Sequence, residues 1–385
     1  MYYVTSESVT RGHPDKVCDQ IADGILDAYL AKDAKSRVAM EVMVSTNMLV
    51  LAGEVTSLGE VDLAAKAREI LTEIGYVHPG KGFDAESCLI LTNVHRQSPD
   101  ISQGVTKPGE KEVLGGGDQG IMYGYAVDET PSLMPMPAYL ANRLAMRLDC
   151  VRQVYQTDFL FPDGKTQITM EYDEEGKPRS IHSIVVSIQH SEEISHALLE
   201  KFIRSMVIAP VVDASLLRPG TRIYVNPTGR FVMGGPAADT GLTGRKLMVD
   251  SYGGIGKHGG GAFSGKDPTK VDRSGAYMAR YVAKNIVAAG LARRCEVALS
   301  YVIGGIQPES VTIETFGTGK LPQGRLEELV QSVFSFGVAD CIRDLNLRVP
   351  QYQKTAAYGH FGREGEGFRW EDRDKAKILQ QLAGL

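Results

Sequence analysis

Residues 253–274 read GGIGKHGGGAFSGKDPTKVDRS, with seven glycines, the basic side chains Lys257, His258, Lys266, Lys270 and Arg273, two aspartates and almost no apolar periodicity. Ordinary helix or strand does not run through most of such a stretch, because glycine loses more backbone entropy on ordering than any other residue. The fold must hold this bare backbone between ordered elements that carry the packing. What the stretch offers is chemical: glycines let backbone N–H groups approach an anion closely, and lysine or arginine neutralises it. Aspartates among the lysines suit a divalent cation beside phosphate. A second cationic cluster lies upstream, with Arg230, Arg245, Lys246 and the acidic Asp239. Two such clusters close in sequence suit a polyphosphate better than a single phosphate. The plain alternative is a solvated surface loop.

The common glycine motifs fail on context. GGGDQG (Gly115, Gly117, Gly120) and GIGKHG (Gly254, Gly256, Gly259) both satisfy G-x-G-x-x-G. The first follows polar residues and leads into the strand-like IMYGYAV, whereas a dinucleotide fingerprint needs a strand before it and a helix after. The second has no clear strand immediately before it. GGAFSGKD comes within one residue of a P-loop, but Asp267 stands where Ser or Thr would bind magnesium.

At 385 residues the chain is long enough for two or three units. A net charge of -5, from 42 Lys+Arg against 47 Asp+Glu, gives no basic field for nucleic acid, so any strong anion site must be local. Cys18, Cys88, Cys150, Cys295 and Cys341 are scattered and never spaced as CxxC, which argues for a reducing cytosol. The N-terminus lacks a signal peptide and no apolar run is long enough for a membrane helix, so the expectation is a soluble, unprocessed, cytoplasmic protein.

Helical periodicity is clearest in DKVCDQIADGILDAYLAKD, where Val17, Ile21, Ile25 and Tyr29 recur every four residues. Strand patterns follow in RVAMEVMVST and NMLVLAGEVTS, then a helix near 60–74 and the run CLILTNV. Residues 95–113 have no period, and a connection of that length is either a lid over a site or a disordered linker. Beyond it come strand GIMYGYAV, helix 137–155, strands TQITMEY and HSIVVSIQ, helix 193–206, helix 274–290, two further strands, helices near 323–334 and 338–345, and a charged tail read as a surface segment ending in a short helix. Irregular alternation with hairpin-like strand pairs favours α+β with mixed sheets over a doubly wound parallel sheet. Glu41 and Glu54 interrupt runs apolar enough to be buried on both faces, where a carboxylate needs a cation; the alternative is a strand edge that reaches water.

Four separated stretches, GHPDK (12–16), GGGDQG (115–120), DGKTQIT (163–169) and GGGAFSGKDPTKVDRS (259–274), resemble the S-adenosylmethionine synthetase family in its order, over nearly the whole chain. The resemblance implies three similar α+β domains about a pseudo-threefold axis, at 1–100, 113–231 and 233–370, with chain segments exchanged between them and a flexible active-site loop at 97–107. It implies transfer of adenosyl from ATP to L-methionine, then hydrolysis of the tripolyphosphate. It assigns His13, Lys165, Arg245, Lys246 and Lys266 to the reacting phosphates. Adenosine recognition falls to Asp118, Asp163, Lys165, Arg230, Phe231 and Ala262, methionine to Glu54, Gln97, Asp239 and Lys270. Asp239 counts toward ATP as well. Two magnesium ions per site are implied on Asp15 and Asp272, and one potassium ion per subunit on Glu41. A homo-oligomer is implied, a tetramer built as a dimer of dimers with sites at the dimer interface, without nucleic acid or membrane. From the letters alone, Pro14 and Asp15 equally suit an ordinary helix start, and Phe231 an ordinary core residue. Gly116 departs from the family's common GAGDQG wording, which loosens that turn. A phosphotransferase and a non-catalytic nucleotide sensor are the rival readings of the same cationic cradle.

Overall fold

The computed structural model describes residues 1–79, 81–96, 106–107, 113–155 and 157–384, the side chains of 106, 107 and 113 excepted. The strands are β1 (Tyr2–Val9), β2 (Arg37–Ser45), β3 (Met48–Thr56), β4 (Leu89–His95), β5 (Thr106–Lys107), β6 (Val113–Leu114), β7 (Gly120–Val127), β8 (Leu160–Tyr172), β9 (Pro178–His190), β10 (Arg222–Val225), β11 (Gly241–Leu242), β12 (Arg294–Tyr301) and β13 (Ser310–Glu314). The main helices are α1 (Pro14–Lys32), α2 (Leu63–Ile74), α3 (Met136–Val154), α4 (His196–Ile203), α5 (Val271–Ala288), α6 (Gln323–Val333), α7 (Val338–Asp344) and α8 (Ala376–Ala383).

Three sheets each back onto a long helix. The β1-β8-β9-β10 sheet carries α3, the β11-β2-β3-β4 sheet carries α1, and the β13-β12-β7 sheet carries α5; a two-stranded β5-β6 ribbon stands apart. The first two sheets are mixed, with β10 parallel to β9 and β4 parallel to β3, and the third is antiparallel. The architecture is α+β. Each sheet takes a strand from far along the chain: Tyr2 pairs with Tyr172, Gly241 with Val44, and Gly120 with Tyr301. One apolar core joins α1, α5 and the two sheets they cover, and a second fills the space between α3, α4 and the inner face of the β1-β8-β9-β10 sheet.

The polar face of α1 is buried along with its apolar one: Asp15, Lys16, Asp19, Gln20 and Asp23 are as buried as Val17, Ile21 and Ile25. Segments carrying Leu242, Gly244, Asp250, Gly265 and Arg273 cover that face and pair with its charges. The charged tail is not a surface segment either. Phe361, Phe368 and Trp370 are buried, with Trp370 stacked on Tyr277 at 4.1 Å between centroids, while Glu371 takes Lys284 at 2.6 Å and Arg280 at 3.1 Å. Burying each phenylalanine is worth about 1.5–3 kcal/mol, which offsets part of the entropy lost when the segment is ordered. Finally, β2 is not buried on both faces. Its even-numbered positions Val38, Met40, Val42 and Val44 are buried, and Glu41 lies exposed on the open face with Glu54 of β3, whose partner across the ladder is Ala39.

Candidate active site

β1 and β8 run antiparallel with Val9 opposite Lys165, so the turn after β1 leads directly to the start of α1 beside that lysine. His13 ends the turn as N-cap of α1, and its Nδ1 accepts the Asp15 N–H at 3.2 Å. Burial first, then Lys246 and Lys165, hold the imidazole at a pKa of about 3. It is therefore neutral at physiological pH, and with Nδ1 accepting, the remaining proton sits on Nε2.

Asp15 is buried, and its Oδ2 meets Lys246 Nζ at 2.7 Å while Oδ1 accepts the Leu242 N–H at 2.9 Å and lies 3.3 Å from Arg245 Nε. Burial pushes this carboxyl up, but Lys246 and the Leu242 N–H outweigh it and leave it below its ordinary range. Arg245 remains about half exposed at its side chain. The neutral His13 and two cations, Arg245 and Lys246, thus gather around a single ionised carboxylate at a helix N-terminus, where the partial positive charge of the helix adds to theirs, and Lys165 acts on His13 from β8.

A register irregularity lies between Leu160 and Gly164 in β8, and Asp163 is buried where Lys165, two residues on, is exposed. Asp163 Oδ2 accepts the Gly235 N–H at 2.8 Å, and its buried Oδ1 finds no partner of hydrogen-bond geometry among the described residues. Burial raises its pKa to about 6, with Lys165 opposing and Asp239 reinforcing. Phe231 is half-buried and donates its N–H to His190 Nε2 at 3.1 Å. Arg230 lies exposed, 2.8 Å from Glu192, a pair of the kind that contributes little to stability. Asp239 is exposed, its N–H on the Gly235 carbonyl at 3.1 Å.

The second cluster forms where the glycine-rich stretch meets α5. Lys266 Nζ pairs with Asp272 Oδ2 at 2.8 Å, Asp272 standing in the first turn of α5. Ala262 packs toward Gly244, which links this stretch to the turn carrying Arg245 and Lys246. Asp118 is exposed on the turn whose Gly117 faces the Thr269 carbonyl. Lys270 pairs with the fully buried Asp267. Glu41 lies within electrostatic reach of Lys266; its side chain is open to solvent, but the protein packed around it removes part of its hydration and raises its carboxyl despite that lysine, with Asp19 and Glu54 adding to the rise. Glu54, partly exposed, lies 3.4 Å from His95 Nε2. Gln97 and the loop 97–105 lie outside the described residues.

Among the described residues no group of three or more His, Cys, Asp and Glu gathers as a metal site. Asp15 and Asp272 each supply one carboxylate beside a lysine. Magnesium commonly takes one or two protein carboxylates and completes its shell with phosphate oxygens and water. This donor set fits an ion that arrives with a polyphosphate, and it does not fit an all-protein cage. Sequence reasoning missed Lys16, Asp19 and Asp250, which meet in a buried cluster with Lys16 Nζ 2.9 Å from Asp19 and paired with Asp250. The four-residue spacing of Asp15, Asp19 and Asp23 was the available signal for part of it; nothing local marked Asp250.

Paired cations and carboxylates on glycine-rich turns, flanked by a neutral histidine, have the chemistry of a site for a polyanion. Comparison narrows this: the chain belongs to the S-adenosylmethionine synthetase family. Family models of the N-terminal, central and C-terminal domains match residues 1–99, 113–231 and 233–372. It is similar to S-adenosylmethionine synthase 1 of Rhodospirillum rubrum, 57% identical over 384 residues, spanning 100% of this chain and 99% of the relative. S-adenosylmethionine synthase 1 of Rhodopseudomonas palustris strain BisB18 is 56% identical over 379 residues, spanning 98% of each chain.

Proposed function

We propose that the two clusters together hold the triphosphate of ATP while the chain performs the reaction of its family. The enzyme is a methionine adenosyltransferase that forms S-adenosylmethionine from ATP and L-methionine. The methionine sulfur attacks C5′ in line, the S–C5′ bond forms, and the C5′–O bond breaks with its electron pair leaving on the triphosphate. Water then splits the tripolyphosphate into phosphate and pyrophosphate. Charge grows on a leaving group that is already an anion, so fixed cations favour the transition state over the ground state.

In this reading His13 donates its Nε2 proton toward the bridging oxygen as it departs. Lys165, Arg245, Lys246 and Lys266 neutralise the phosphates, and Asp163, Arg230, Phe231, Ala262 and Asp118 bind adenosine, the unpartnered Oδ1 of Asp163 supplying an acceptor. Asp239, Glu54, Gln97 and Lys270 hold the methionine zwitterion. Asp15 and Asp272 would each hold a magnesium ion and Glu41 a potassium ion; when bound, these supply further charge neutralisation to the leaving polyphosphate. The observation that carries the reading is the neutral His13 beside Asp15, Arg245 and Lys246.

The open face of the β11-β2-β3-β4 sheet supports a homo-oligomer. Met43, Met48, Val50, Leu89 and Leu91 lie together there by register, with Leu89 56% and Leu91 46% exposed. A second copy covering this face would bring Glu41 and Glu54 to the interface as well, consistent with sites at a dimer interface and a tetramer made of two dimers. Cytoplasmic residence is supported by five free cysteines, four of them buried, and no helix among the described residues is long and apolar enough to cross a membrane. Mass spectrometry after mixing the protein with ATP and methionine tests the chemistry. A sulfonium product with phosphate and pyrophosphate is expected; ADP formation would instead identify a phosphotransferase, and no turnover a nucleotide sensor.

A further inference from the structure

Aspartates recur at every fourth position of α1: Asp15, Asp19, Asp23 and Asp27. At 3.6 residues per turn this spacing keeps them along one slowly rotating stripe. Each carboxylate accepts backbone N–H groups from a segment remote in sequence. Asp15 takes Leu242 at 2.9 Å, Asp19 takes Gly244 at 2.9 Å, and Asp23 takes Gly265 at 2.8 Å. Asp27 takes Gln351 and Tyr352 at 2.9 Å and Gln353 at 2.8 Å. Gly244 immediately precedes Arg245 and Lys246, and Gly265 immediately precedes Lys266.

We propose that Asp19 and Asp23 are positioning residues for the polyphosphate cage, fixing through Gly244 and Gly265 the turns that aim its cations. The inference rests on the reading that Arg245, Lys246 and Lys266 bind phosphate. Both carboxylates are fully buried, so their hydrogen bonds face no competition from water. Asp23 acts on both sides of the Lys266–Asp272 pair. It holds the N–H that precedes Lys266, and it binds Arg273, the residue after Asp272, through two contacts of 2.7 Å. Arg273 in turn donates to the Lys266 carbonyl at 3.1 Å. The turn at Gly265 has φ +82°, and a Cβ there would stand 2.1 Å from the Met40 carbonyl, so the turn is seated against β2 and has little freedom except through its anchor. Asp19 shares its second oxygen with Lys16, the neighbour of Asp15, which ties the Gly244 turn to the start of α1.

A buried ion pair such as Asp23–Arg273 is weak evidence for stability, since well-packed apolar residues often do as well. Orientation explains its presence better. Asp27 provides the internal control: it makes the same kind of bond to a segment that carries no residue of the site.

The test uses the full-length enzyme with Asp19→Asn, Asp23→Asn, Asp27→Asn and Lys266→Met, each measured for turnover, methionine KM and calorimetric binding of inorganic tripolyphosphate with magnesium. Misplaced cations lower turnover by roughly 10²-fold in Asp19→Asn and Asp23→Asn. They weaken tripolyphosphate binding at least about tenfold and leave methionine KM within about twofold, because charge on the phosphates is what they serve. Asp27→Asn should keep both quantities near wild type. If Asp23→Asn does not fold, Asp23→Asn/Arg273→Met, which removes both buried charges, takes its place. Folded Asp19 and Asp23 variants with wild-type turnover and tripolyphosphate affinity would overturn the proposal, as would losses equal to those of Asp27→Asn. Lys266→Met separates the two layers. Wild-type behaviour there removes the phosphate reading itself, whereas loss in Lys266→Met without loss in the aspartate variants removes only the positioning role.

Discussion

Gly261→Ala tests whether the carboxylate of Asp272 must stand where it does. A Cβ at position 261 would lie 2.0 Å from Asp272 Oδ1, 2.2 Å from its Cγ and 2.8 Å from Oδ2. Comfortable non-bonded contact needs about 3.5 Å, so the carboxylate must move by roughly 1.5 Å. That displacement is large against the 2.8 Å pair it makes with Lys266. The clash is with the end of a side chain and not with backbone, so rotation of Asp272 relieves it at a strain of about 0.5–1.5 kcal/mol. The expected result is a thermal midpoint close to wild type with turnover reduced on the order of 10²-fold, since an ångström of misplacement at a charged centre costs about that much. Gly259→Ala is the structural contrast. Its Cβ would fall 1.6 Å from the Ile121 carbonyl, so the loop must lift from β7 and stability must fall with activity. Gly324→Ala, with nothing within 4 Å, is the neutral control. The assay is S-adenosylmethionine formation at saturating substrates across a magnesium titration, alongside thermal melts. Wild-type turnover and magnesium dependence in Gly261→Ala would refute the reasoning, and so would a stability loss matching that of Gly259→Ala.

Asp163→Asn should alter stability in a defined pH window. The folded pKa of about 6 lies above the ordinary carboxyl value of 3.8, so the group's stabilising contribution is fully present below about pH 4 and is lost as pH rises through about 6. Urea midpoints should therefore show the variant gaining up to about 3 kcal/mol on wild type between pH 4 and 7; parallel pH curves would contradict the assignment. Leu91→Asp on the open sheet face should shift the scattering mass toward smaller species and lower activity at dilute protein concentration, whereas an unchanged mass would mean that the subunits meet elsewhere.

Helix positions were legible because they depend on local spacing: the stretch read as 137–155 forms as Met136–Val154, and that read as 274–290 as Val271–Ala288. The cationic residues of the site were legible as motifs. Their grouping was not. Lys165 reaches His13 only because β1 pairs with β8, a register set by contacts about 160 residues apart, and no local period encodes that. The sequence read the strand at 166–172, yet it begins at Leu160, and a register irregularity ahead of Gly164 lies beside Asp163. Arg273 looked like one more phosphate-facing cation of the glycine-rich stretch; it is instead fully buried against Asp23.

The polar stripe of α1 misleads for a related reason. Amphipathicity assigns charged positions to solvent on the assumption that burial costs them their hydration. Here three consecutive aspartates of the stripe recover that cost from backbone N–H groups and fixed cations on segments remote in sequence. The glycines at 244 and 265 complete the arrangement, because turns without side chains can bring their N–H groups close to the helix. The flexible composition that dominates residues 253–274 therefore does not make a flexible site. Its bare backbone is what allows α1 to hold the turns, and the lysines and arginines that follow each anchored glycine inherit their direction from it. A cage assembled in this way needs little reorganisation when charge develops on the departing polyphosphate, which is the condition under which fixed cations lower a barrier most.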